Sequence, residues 1–131
     1  MAEQELTENI TNMLISFKFQ TDITGFEYLR SAIAVCFQEE QLKNHISTKI
    51  YPIVANLHCS TVQVVERAMR TAITNCYYIG GLLEINEICG VVVYKNDFKW
   101  TNGEVIALFV EILKMQQTRQ SLNEKLQSVK I

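Results

Sequence analysis

Residues 51–73 read YPIVANLHCSTVQVVERAMRTAI, and this run constrains the fold more than any other part of the chain. A short apolar segment carries Pro52 near its start, and a polar Cys59-Ser60-Thr61 turn ends it. The next segment puts Val65, Ala68, Met69, Ala72, Ile73 and Cys76 on one helical face, with Gln63, Arg67, Arg70 and Thr74 opposite. A hydroxyl residue ahead of an apolar period is a helix cap, so Ser60 or Thr61 should open the second helix. Two helices joined by so tight a turn make a helix-turn-helix, in which the first props the second against a DNA major groove. The motif is expected over about 47–78.

The rest of the chain reads as helix around it. Thr7 is expected to cap a first helix bearing Ile10, Met13, Leu14 and Phe17, and Gln20 to Thr24 form a polar break. Gly25 to about Gln38 carries Phe26, Leu29, Ile33 and Phe37 on one face. Leu42 to about Leu57 has a helical pattern that Pro52 should kink or restart, because proline lacks the amide donor. The helix after the turn should run to about Tyr78 and stop at Gly80-Gly81. Leu82 to Cys89 is a short helix closed by Gly90. Val91 to Tyr94 favours strand but has no partner, so it reads as an extended loop or at most a small hairpin. Thr101 and Glu104 form a capping box for a last helix over about 102–128. The expectation is an all-α class: one compact six-helix domain over 1–131, with a central helix-turn-helix and an extended C-terminal helix. Apolar residues at 48% suffice for a core, and a single proline leaves little room for long loops.

Several function classes drop out. No apolar run approaches the roughly 20 residues of a membrane-spanning helix. The acidic start MAEQELTENI is unlike a signal peptide, so a cytoplasmic protein is expected. Cys36, Cys59, Cys76 and Cys89 show no CxxC spacing, and His45 and His58 are the only histidines. No metal site is expected, and the thiols should be reduced and mostly buried. No carboxylate pair, nucleophile–base set or glycine-rich phosphate loop is visible, so neither an enzyme nor a cofactor is expected. A net charge of −2 runs against phosphate attraction, yet residues 58–78 carry Arg67 and Arg70 against Glu66 alone.

Five motifs then point to a family: Gly25-x-x-Tyr28-Leu29-Arg30-x-Ala32-Ile33; Tyr51-Pro52; Val65-Glu66-Arg67-Ala68-x-Arg70-x-Ala72-Ile73; Gly90; and Thr101-Asn102-x-Glu104-x-Ile106-Ala107. Through them the chain resembles the DNA-binding effector domain of the stage zero sporulation protein A family, the response regulator that starts sporulation. The similarity runs without gaps over about Ile10 to Met115. It implies six helices, binding to a short DNA box, usually as tandem dimers, and contact with an RNA polymerase sigma factor through the later helices. That family carries a receiver domain ahead of this module. Nine residues before Ile10 cannot hold one, so switching by a fused receiver is not expected.

The resemblance puts the base-reading positions at Val64, Glu66 and Arg67. Arg67 also points away from the apolar face, where arginine can grip guanine through two acceptors. Glu66 suits a cytosine amino group and Gln63 an adenine. Arg70 suits a phosphate, or a surface pair with Glu66 four residues earlier. Ser60 and Thr61 offer hydroxyls and a helix start to a phosphate, and Lys49 offers a second backbone contact. His58 stands where the family has an aromatic, so it reads as a packed side chain. The chain departs from the family pattern at Val64, which replaces a base-reading arginine. Asn56 and Leu57 replace two lysines, and Trp100 replaces a proline. Val64 can touch a thymine methyl, which would shift the target. Alternatively Ile53, Leu57 and Val64 form an apolar patch, as in a protein-interaction module that has lost DNA binding and pairs with a regulator or sigma factor.

Leu108, Ile112, Met115, Arg119, Leu122, Leu126 and Val129 alternate in steps of four and three, a coiled-coil seam with one charged interruption. Either the last helix runs past the domain and pairs with another copy as a homodimer, or it folds back as an ordinary amphipathic helix.

Overall fold

A computed structural model describes residues 2–92, 94–95 and 99–129. Among them lie six α-helices: α1 (Glu3–Ser16), α2 (Thr24–Gln38), α3 (Tyr51–Leu57), α4 (Val62–Tyr78), α5 (Glu84–Cys89) and α6 (Asn102–Val129). No strand occurs among the described residues. Val91, Val92 and Tyr94 lie in loop, and Val93 is outside the described residues.

α2 is the hub and packs against α1, α3, α4 and α6. Its apolar face, with Phe26, Leu29, Ala32, Ile33 and Cys36, is buried throughout. The contact with α4 brings the two helices close together at Gly25. A Cβ on Gly25 would lie 2.1 Å from the Ala68 carbonyl oxygen, so only glycine lets the two backbones meet there. Phe17 and Phe19 meet Phe109 of α6 edge-on, with centroids 4.9 and 5.8 Å apart. This arrangement suits the ring quadrupoles.

Two local expectations need correction. α1 begins at Glu3, not at Thr7. Leu6 extends the buried period one turn upstream, and the Thr7 hydroxyl donates to the Glu3 carbonyl (3.0 Å) instead of capping. The segment leading into the motif is not one helix. A 3-10 turn covers Glu40–Asn44 and a π-helical turn covers Ile46–Ile50, and α3 then starts at Tyr51. Pro52 therefore sits in a first turn, where its missing amide is harmless, and it restarts the helix. Of the four thiols, Cys36 and Cys76 are buried, Cys89 is half-buried and Cys59 is exposed in the turn. Burial pushes the Cys36 thiol up to about 11. It pushes Cys76 up to about 12 against an opposing pull from Lys18.

α6 shows the course of the tail. Its first part buries Asn102, Val105, Ile106, Phe109, Val110, Ile112 and Leu113. From Met115 to Val129 every residue is exposed, so the helix runs on past the domain and does not fold back. No helix among the described residues is long and apolar enough to cross a membrane.

Candidate nucleic-acid interface

The turn between α3 and α4 is built from the backbone. The Ser60 amide donates to the Ala55 carbonyl (2.8 Å) and the Cys59 amide to the Asn56 carbonyl (3.4 Å). This paired closure ends a helix through a left-handed residue. Cys59 takes that role with φ +52°, a conformation that glycine adopts more easily. Thr61, not Ser60, caps α4, and its Oγ1 accepts from the Val64 amide (3.2 Å).

α4 buries Val65, Met69, Ala72, Ile73 and Cys76. This fixes its outer face, where Gln63, Val64, Arg67 and Arg70 are exposed. Four of the eight expected site residues divide between two spaces. Val64 and Arg67 line a groove of about 320 Å³ beside the start of α2, together with Ile23, Thr24 and Gly25. Among the described residues no hydrogen bond or ion pair engages the Arg67 guanidinium. Glu66 and Arg70 line a different cleft of about 550 Å³, shared with Tyr51, Lys99, Trp100 and Asn102. There Arg70 pairs with the Glu66 carboxylate. Both side chains remain substantially exposed, so the pair is worth about 0.3–0.5 kcal/mol.

Lys49 is exposed on the π-helical turn just ahead of α3, and Ser60 is half-buried in the turn. Residues 47–78 carry Lys49, Arg67 and Arg70 against the single anion Glu66. With Glu66 paired to Arg70, Arg67 and Lys49 are left without an ion pair among the described residues. Leu57 is 60% and Val64 49% exposed, while Ile53 is half-buried. His58 is packed as expected: it shares a hydrogen bond with Ser31 (2.8 Å) and meets the Tyr28 ring edge-on.

Two residues matter more than their sequence signal suggested. Gly25 brings α2 against the backbone of α4 at Ala68. Asn102 is the buried polar residue at the start of α6, and its Nδ2 donates to Tyr51 Oη and to the Glu66 carbonyl, both at 3.1 Å. The capping box that positions it is present in full. The Thr101 amide donates to Glu104 Oε1 (2.9 Å), and the Glu104 amide donates to Thr101 Oγ1 (3.2 Å). The sequence carried a signal for the box but none for the Asn102 contacts.

Among the described residues no group of three or more His, Cys, Asp or Glu could hold a metal ion. The family model "Sporulation initiation factor Spo0A C terminal" matches residues 10–113.

Proposed function

The chain belongs to the sporulation initiation factor Spo0A C-terminal family, and from that premise we propose that it recognises duplex DNA through α4 as a transcription regulator of sporulation type. The family is one of DNA-binding regulator domains, not of enzymes. One observation carries the reading: Arg67 stands outward on a helix held by its buried face, with no partner among the described residues.

In this reading Arg67 reads a guanine and Gln63 an adenine, and Val64 lies against a thymine methyl. Thr61 and Ser60 at the helix start, with Lys49 ahead of α3, take phosphates. Arg70 can leave its exposed pair with Glu66 for a phosphate at little cost, freeing Glu66 for a cytosine amino group. The later helices meet a sigma factor, and the projecting part of α6 pairs with a second copy through Met115, Leu122 and Leu126.

Gel-shift titration over a range of salt tests the reading. Arg67→Ala should lower affinity for the selected sequence, and Arg70→Ala should weaken binding to every sequence. If the wild type shifts no duplex even at low salt, DNA recognition is overturned. Exposure of Leu57 and Val64 where the family carries basic residues then favours the second reading, a module that docks on a regulator or sigma factor through this apolar patch.

A further inference from the structure

α4 is gripped by its backbone at two points, and Arg67 lies between them. On one side Gly25 lets α2 close on the Ala68 carbonyl. On the other, Asn102 donates to the Glu66 carbonyl. The second donor of the same amide goes to the Tyr51 hydroxyl, so one side chain joins α3, α4 and α6. Both amide hydrogens are thereby used, and Asn102 is only 8% exposed. A buried amide is unfavourable unless both donors find acceptors, so the group holds its three helices within hydrogen-bond tolerance of one arrangement. The capping box fixes where the amide starts from, because Thr101 and Glu104 lock the first turn of α6.

We infer that Asn102 is a positioning residue for sequence reading: it sets the angle at which α4 presents Arg67, and ties that angle to α6. The inference rests on the DNA-binding reading above. Base contacts need their donors aligned with acceptors on one base edge, whereas phosphate contacts tolerate small shifts of the helix. Loosening this grip therefore degrades discrimination before it degrades general affinity.

The test compares wild type, Asn102→Ala, Asn102→Asp and Tyr51→Phe. Each is titrated against a duplex the wild type selects from a random pool, and against a scrambled duplex, at a temperature where circular dichroism shows all four folded. Asn102→Ala should cut the preference for the selected duplex about tenfold, with binding to the scrambled duplex within about twofold of wild type. Asn102→Asp should lose at least as much, because a carboxylate cannot donate to the Glu66 carbonyl. Tyr51→Phe, which removes one of the two acceptors, should lose less. Trp100, the single tryptophan, lines the same cleft, so its emission should shift in the Asn102 variants while they remain folded. A fall in melting temperature with unchanged preference would make Asn102 merely structural and overturn the inference alone. A wild type that selects no duplex overturns the inference together with the reading it rests on.

Discussion

Two stretches of α6 are helical for different reasons. From Asn102 to Leu113 the helix is capped at its first turn and buries seven residues against the domain. From Met115 to Val129 every residue is exposed. The outer stretch continues a helix that the inner stretch has already nucleated, so each further residue adds a hydrogen bond without a new nucleation cost. Leu122, Leu126 and Val129 repeat the spacing of Leu108 and Ile112, but they face water where Ile112 faces the core. Periodicity reports that a face is apolar and says nothing of what covers it.

Substitutions can sharpen or break this contrast. The largest expected effect is Phe109→Ala, which empties a site packed by Phe17 and Phe19 and should destabilise by about 3–5 kcal/mol. The matching change in the outer stretch, Leu122→Ala, should stay within about 0.5 kcal/mol in dilute solution. Equal losses in urea titrations would mean that the stretches are not distinct. Next comes Gly25→Ala, whose added carbon must push the backbone of α4 away. A loss of about 1–3 kcal/mol is expected, together with weaker binding to a selected duplex. A variant that melts and binds like wild type would show that this grip on α4 is dispensable.

Smaller still, Thr101→Ala removes the cap that starts α6 and should cost about 1 kcal/mol in thermal melts. The smallest effect on stability is expected from ending the chain after Gln120, within about 0.5 kcal/mol at low concentration. Sedimentation should show that deletion converting a dimer to a monomer, and the wild-type melting temperature should rise with concentration where the truncated chain's does not. An unchanged oligomeric state would remove the outer stretch as a pairing surface.

Much of the fold was legible because local chemistry specified it. The apolar face of α4, the Thr61 cap, the capping box at Thr101 and the stop at Gly90 all appear where residue type and spacing put them. One misreading arose where a distant contact overrode a local signal. Thr7 looks like a cap, but Leu6 ahead of it belongs to the core. The segment before α3 misled for another reason: Leu42, Ile46 and Ile50 stand four apart, which fits an α-helix, although the backbone winds as a 3-10 and then a π-helical turn. The outward face of the candidate site was readable from its period. Its division into an Arg67 groove and a Glu66–Arg70 cleft was not, because α2 and α6 create those spaces. Asn102 was equally hidden, since two of the helices it joins lie more than thirty residues upstream.

The neighbours that hold α4 beside Arg67 meet its backbone, Asn102 by a hydrogen bond to the Glu66 carbonyl and Gly25 by close approach to the Ala68 carbonyl. Every amino acid carries that backbone oxygen, whatever its side chain. Gln63, Val64 and Arg67 are therefore open to exchange without disturbing the frame beneath them. A library randomised at these three positions should yield mostly folded proteins, and on the reading proposed above their preferred duplexes should differ.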